Sequence, residues 1–173
     1  MTDTPLRVAV YDLDRTVLRT PTFTLFLLWA ARREAPWRLL LLPALAARVL
    51  GNGQRLLVVA ATAMQRQDID AALWTANPAS FLPHGHAGSP DEAIEPILLA
   101  GTLDASPPNG ATHLALADGE WRDAALAFDR IFFLFDNSRI DDARATWRVL
   151  AAREDVDNRF WKQDEGGRWS EGP

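Results

Sequence analysis

Short apolar runs alternate with amphipathic stretches along the chain. Leu6 to Tyr11 (LRVAVY) is β-branched and apolar and ends at Asp12, which predicts a buried strand of a parallel sheet. Thr22 to Arg33 carries Phe23, Phe26, Leu27 and Ala30 at helical spacing and is interrupted by Pro36. A second apolar helix is predicted over Trp37 to Leu50, with Gly51-Asn52-Gly53 as its stop. Arg55 to Ala60 reads as the next strand, Gln65 to Trp74 as a helix with Ile69, Leu73 and Trp74 on one side, and Ser80 to His84 as a short extended segment. After a Gly, Ser and Pro loop around residues 85–93 come an extended Pro96 to Ala100 and a turn at Pro107-Pro108-Asn109-Gly110. His113 to Ala117 is then a strand, Ala124 to Arg130 an approach, and Ile131 to Phe135 an apolar strand. Asp141 to Arg153 is predicted helical and Phe160-Trp161-Lys162 extended, with the Gly, Ser and Pro tail expected to fray. Strands alternating with helices imply an α/β fold, a three-layer sandwich around a mainly parallel sheet with right-handed crossovers. Leu6 to Tyr11 is expected to pair in parallel with Arg55 to Ala60 in that sheet.

At 173 residues, 48% hydrophobic and 24% charged, the chain has the composition of a single globular domain. It has no cysteine, which excludes thiolate chemistry and a disulfide framework and fits a reducing cytoplasm. The sequence shows no secretory signal pattern. The longest apolar stretch, Leu39 to Leu50, contains Pro43 and Arg48 and falls well short of the roughly 20 residues that span a bilayer, so no membrane association is expected. The net charge of −5 argues against a general nucleic-acid binder, whose phosphate contacts need clustered Lys and Arg. Residues 1–50 hold seven Arg against four acids, a net of +3, and residues 51–173 hold eleven basic against nineteen acidic groups, a net of −8. That asymmetry divides the chain into segments 1–50 and 51–173.

The succession GQRLLVVA, DAALWT, ASFLPHGHAG, EPILLAG, PPNGATHLALADG, FDRIFFLFD, DDARATWRVL and FWKQDEGGRW resembles, in order and spacing, the chi subunit of bacterial DNA polymerase III. The pairing of LW with a closely following SFLPHG, and the later PNGA turn, are its most specific parts. The resemblance implies a Rossmann-like single domain without chemistry of its own. Its implied partners are the psi subunit of the clamp loader and the acidic C-terminal tail of single-stranded-DNA-binding protein, with DNA engaged only indirectly. It also implies that Trp74, Phe81, Arg144, Trp147 and Arg148 bind that tail.

The residue types suit the task. A carboxylate-ended peptide with an aromatic terminus needs an apolar slot and one or two cations. Trp74 and Phe81 offer a slot, and Arg144, Trp147 and Arg148 stand at i, i+3 and i+4 on one helix face. The competing structural reading makes the aromatics core residues and pairs the arginines with Asp141 and Asp142. His84 and His86 form an H-x-H pair with no third ligand apparent in the sequence, and no metal or other cofactor is expected.

Segment 1–50 carries a second resemblance. Asp12-Leu13-Asp14-Arg15-Thr16 directly follows an apolar strand and looks like the first motif (DxDxT) of haloacid-dehalogenase-like phosphohydrolases. In that chemistry the first carboxylate attacks phosphorus, the second serves as acid and then base, and magnesium offsets the charge. The resemblance gives the alternative reading of a magnesium-dependent phosphomonoesterase, with Asp12 and Asp14 catalytic and with Asp12, Asp14 and Asp136 holding the metal. Asp136-Asn137-Ser138-Arg139-Ile140-Asp141 is an imperfect match to the later acidic motif, and Thr62 is a candidate for the Ser/Thr position. The only lysine, Lys162, comes after the acidic motif and not before it. Segment 1–50 is therefore expected to serve as the first βα unit of the chi-like domain.

Overall fold

The computed structural model describes residues 6–12, 37–75, 81–135, 137–163 and 169–171. In chain order the elements are β1 (Leu6–Asp12), α1 (Trp37–Gly51), β2 (Leu56–Val59), α2 (Ala63–Thr75), β3 (His84–His86), β4 (Ile97–Ala100), β5 (His113–Leu116), a 3-10 turn (Asp123–Ala127) and β6 (Arg130–Leu134). A second 3-10 turn (Asn137–Arg139), α3 (Ile140–Ala151), β7 (Val156–Gln163) and β8 (Trp169–Glu171) follow. The strands form one sheet in the order β3-β4-β2-β5-β6-β1-β7-β8. Every described pairing is parallel except β7 with β8. The expected α/β sandwich with a mainly parallel sheet is thus the fold.

Local chemistry explains the element ends. Gly53 lies at φ 72, where a side chain would be strained, and the N–H groups of Gly53 and Gln54 close α1 by donating to the carbonyls of Leu50 (2.8 Å) and Val49 (3.1 Å). Thr62 caps α2: its Oγ1 accepts from the Gln65 N–H at 3.1 Å while the Gln65 side chain reaches back to the Thr62 N–H at 3.5 Å. The Pro107–Gly110 turn closes through Gly110 N–H to the Pro107 carbonyl at 2.8 Å and is held by Arg55, which donates to the Asn109 carbonyl at 2.6 Å.

Alternation along each strand builds two cores. Leu56, Val58, Ile97, Leu99, Ala115, Phe132 and Leu134 face α1 and α2. Leu57, Val59, Leu98, Leu114, Leu116, Ile131 and Phe133 face α3 and the 3-10 turn at Asp123–Ala127. Helices α2 and α3 therefore cover opposite faces of the sheet. This follows from handedness: the β2-to-β3 crossover runs one way along the sheet and the β6-to-β7 crossover the other.

Two expectations are corrected. Strand β1 lies between β6 and β7, with Val8 opposite Ile131 on one side and Asn158 on the other, and does not pair with β2. Both edges of β2 are already taken by β4 and β5. The tail does not simply fray, since Trp169–Glu171 pairs with Trp161–Gln163. The helix expected over Thr22–Arg33 lies outside the described residues. Among the described residues no helix is long and apolar enough to cross a membrane.

Candidate functional site

The C-terminal ends of β2 and β5, where open α/β sheets hold ligands, are filled by the chain's own charges. Asp118, whose side chain is nearly buried, accepts from Arg122 at 2.7 and 3.0 Å and from the Ala61 N–H at 3.2 Å. The hydrogen bond to Asp118 raises the Arg122 pKa above its ordinary value. Glu120 joins Arg122 to Arg139, which it contacts at 2.8 Å.

The five residues expected to form one peptide site are divided between the two faces. Trp74, at the end of α2, is 56% exposed and Phe81 is 67% exposed. Their rings lie 5.4 Å apart, and the His84 ring meets Trp74 edge-on at 5.1 Å. These residues stand at the β3 edge of the sheet. Asp70 of α2 binds this edge, with its Oδ1 lying 3.2 Å from the Nε2 atoms of both His84 and His86. Sequence reading missed Asp70, because its 14-residue distance from His84 leaves no local signal. His84 Nδ1 is 2.7 Å from the Leu82 carbonyl. Among the described residues no three His, Cys, Asp or Glu side chains form a metal-binding group.

On the other face, α3 presents Arg144, Trp147 and Arg148. Trp147 is half-buried against the core beneath α3, which anchors that indole, whereas both arginines are exposed. Arg144 keeps a long contact to Asp141, 3.4 Å, between two well-exposed side chains. Arg148 makes no ion pair among the described residues. The cation at the end of the helix, Arg153, is engaged by Asp155 at 2.7 and 2.9 Å, and these bonds hold the Asp155 carboxyl below its usual range. The opposite flank of α3, with Ala145, Val149 and Arg153, borders a groove of about 510 Å³ shared with Trp121 and Leu126. Arg144, Trp147 and Arg148 thus stand on the flank turned toward β7.

The alternative catalytic set is only partly placed. Asp14 and Asp136 lie outside the described residues, and Asp12 is placed by its backbone, at the C-terminal end of β1 in register with Lys162 of β7. Thr62, the candidate for the Ser/Thr position, is the cap of α2. Away from either site, burial lowers the pKa of His113 and Arg130 adds to that effect.

The arrangement so far is a Rossmann-like sheet with two exposed surfaces of unlike chemistry. The sequence profile of the family described as DNA polymerase III chi subunit, HolC, matches residues 22–163. The chain belongs to the chi family. The match starts at residue 22, after the dehalogenase-like motif at Asp12–Thr16, and covers every residue of both exposed surfaces. No curated protein matches the chain. A role as a DNA polymerase III chi subunit follows from family membership.

Proposed function

We propose that the chain is a non-catalytic adaptor that joins the psi subunit of the clamp loader to the acidic C-terminal tail of single-stranded-DNA-binding protein during DNA replication. The observation that carries this reading is the separation of two unlike surfaces by the sheet. The Trp74–Phe81 edge is aromatic, exposed and bordered by Asp70, so it suits an apolar protein surface and repels an acidic peptide. The α3 flank offers a half-buried indole between two exposed guanidinium groups one turn apart, which suits an aromatic residue ending in a carboxylate. Psi is therefore assigned to the first surface and the tail to the second. With independent sites, psi-bound and psi-free protein should bind a fluorescein-labelled tail peptide with affinities within about twofold of each other. Competition between psi and the peptide would contradict the assignment.

One observation favours the rival phosphomonoesterase. The parallel register sets the backbone of Lys162, the chain's one lysine, opposite that of Asp12 at the C-terminal end of β1. Against it, Lys162 follows the acidic stretch and belongs to a strand that the chi pattern accounts for. The adaptor reading predicts no magnesium-dependent hydrolysis of p-nitrophenyl phosphate above background. Turnover that Asp12→Asn abolishes would establish the rival.

A further inference from the structure

We infer that Asn158 is a recognition residue of the tail site, its side-chain amide hydrogen-bonding the main chain of the bound peptide; this rests on the tail reading above. Val156 of β7 belongs to the core beneath α3, so Asn158, two residues on, faces the same helix. It stands in one cross-strand row with Val8 and Ile131, and Ile131 is fully buried. Both amide atoms of Asn158, Nδ2 and Oδ1, are buried and make no hydrogen bond among the described residues. The buried Asn109 is treated differently. Asn109 donates from Nδ2 to the Glu95 carbonyl at 3.1 Å and accepts the Ala111 N–H on Oδ1 at 3.2 Å. A buried amide without partners destabilises the folded state and calls for a partner that the free chain does not supply.

The position of Asn158 indicates which ligand this is. The α3 flank that carries Arg144, Trp147 and Arg148 is the one turned toward β7, so the amide lies beneath the flank proposed to take the tail. An amide carries a donor and an acceptor together, which matches the N–H and C=O of an extended peptide. With Arg148 on the terminal carboxylate, Asn158 would read the main chain next to it. Because the amide is covered in the free protein, the peptide must displace a covering side chain to reach it.

The test compares the full-length parent and Asn158→Leu, titrating an acidic fluorescein-labelled peptide that ends in an aromatic residue with a free carboxylate. Leucine has nearly the shape of asparagine, so the thermal midpoint should hold or rise, while Kd should increase by about tenfold, the loss of one or two hydrogen bonds. A peptide N-methylated at its last amide should lose affinity for the parent but little for Asn158→Leu, a coupling that a purely structural role would not produce. Kd for Asn158→Leu within about twofold of the parent, the additivity limit, would overturn the inference and leave the tail reading standing. No binding by the parent would overturn both.

Discussion

Phe133→Ala is expected to destabilise the protein by about 3 to 5 kcal/mol, as large aromatic truncations in a close-packed core do. Phe133 is 1% exposed in the layer between the sheet and α3, with the Trp121 ring edge-on at 5.7 Å and Phe135 at 5.6 Å. The side chain is too large for its neighbours to collapse onto the space it leaves, and the aromatic pairs are lost with it. Against a total stability on the order of 5 to 15 kcal/mol this is a large fraction, and the variant will be marginal at growth temperature. Val149→Ala, on the same layer but 67% exposed, should stay within about 0.5 kcal/mol of the parent. Urea unfolding of the two variants measures the contrast. A loss below about 1 kcal/mol for Phe133→Ala, typical of a surface site, would mean that α3 is not packed over β6 as described.

Arg148→Ala should weaken binding of the single-stranded-DNA-binding protein tail by about 1.5 to 3 kcal/mol, roughly tenfold or more. Arg148 has no ion-pair partner among the described residues, so its guanidinium is available to a carboxylate without first giving up another. Arg144 is already opposed by Asp141 at 3.4 Å, and the tail must compete with that carboxylate. Arg144→Ala should therefore cost less than Arg148→Ala. Both cations are solvent-exposed, so the attraction is screened at the Debye length of about 8 Å in physiological salt, and Kd should rise steadily with added salt. Fluorescence anisotropy over a salt series measures both effects. Equal losses for the two arginines would show that the Asp141 contact does not persist in solution.

The strands at Leu56–Val59, Ile97–Ala100 and Arg130–Leu134 were legible because burial on both faces leaves continuous apolar runs. Strand β3 was not, since His84-Gly85-His86 has neither branched nor apolar character and is strand only through its pairing with β4. The partner of β1 was equally hidden. An apolar run requires a central place in a sheet but does not say between which strands. Within the candidate site, the i, i+4 spacing of Arg144 and Arg148 gave their common flank directly. What the sequence did not show is that the helix carrying them and the helix carrying Trp74 lie on opposite faces, because that depends on the direction of each crossover along the sheet. Asp70 and Asn158 escaped for a related reason: each matters through a neighbour that is remote in sequence and adjacent only in the folded sheet.

One adaptor with two independent surfaces should show a double dissociation. Psi capture and tail binding should be measured side by side on the full chain with Trp74→Ala and with Arg148→Ala. Trp74→Ala is expected to lose psi and keep the tail, and Arg148→Ala to lose the tail and keep psi. Loss of both partners by either variant, with the fold intact by circular dichroism, would contradict this expectation.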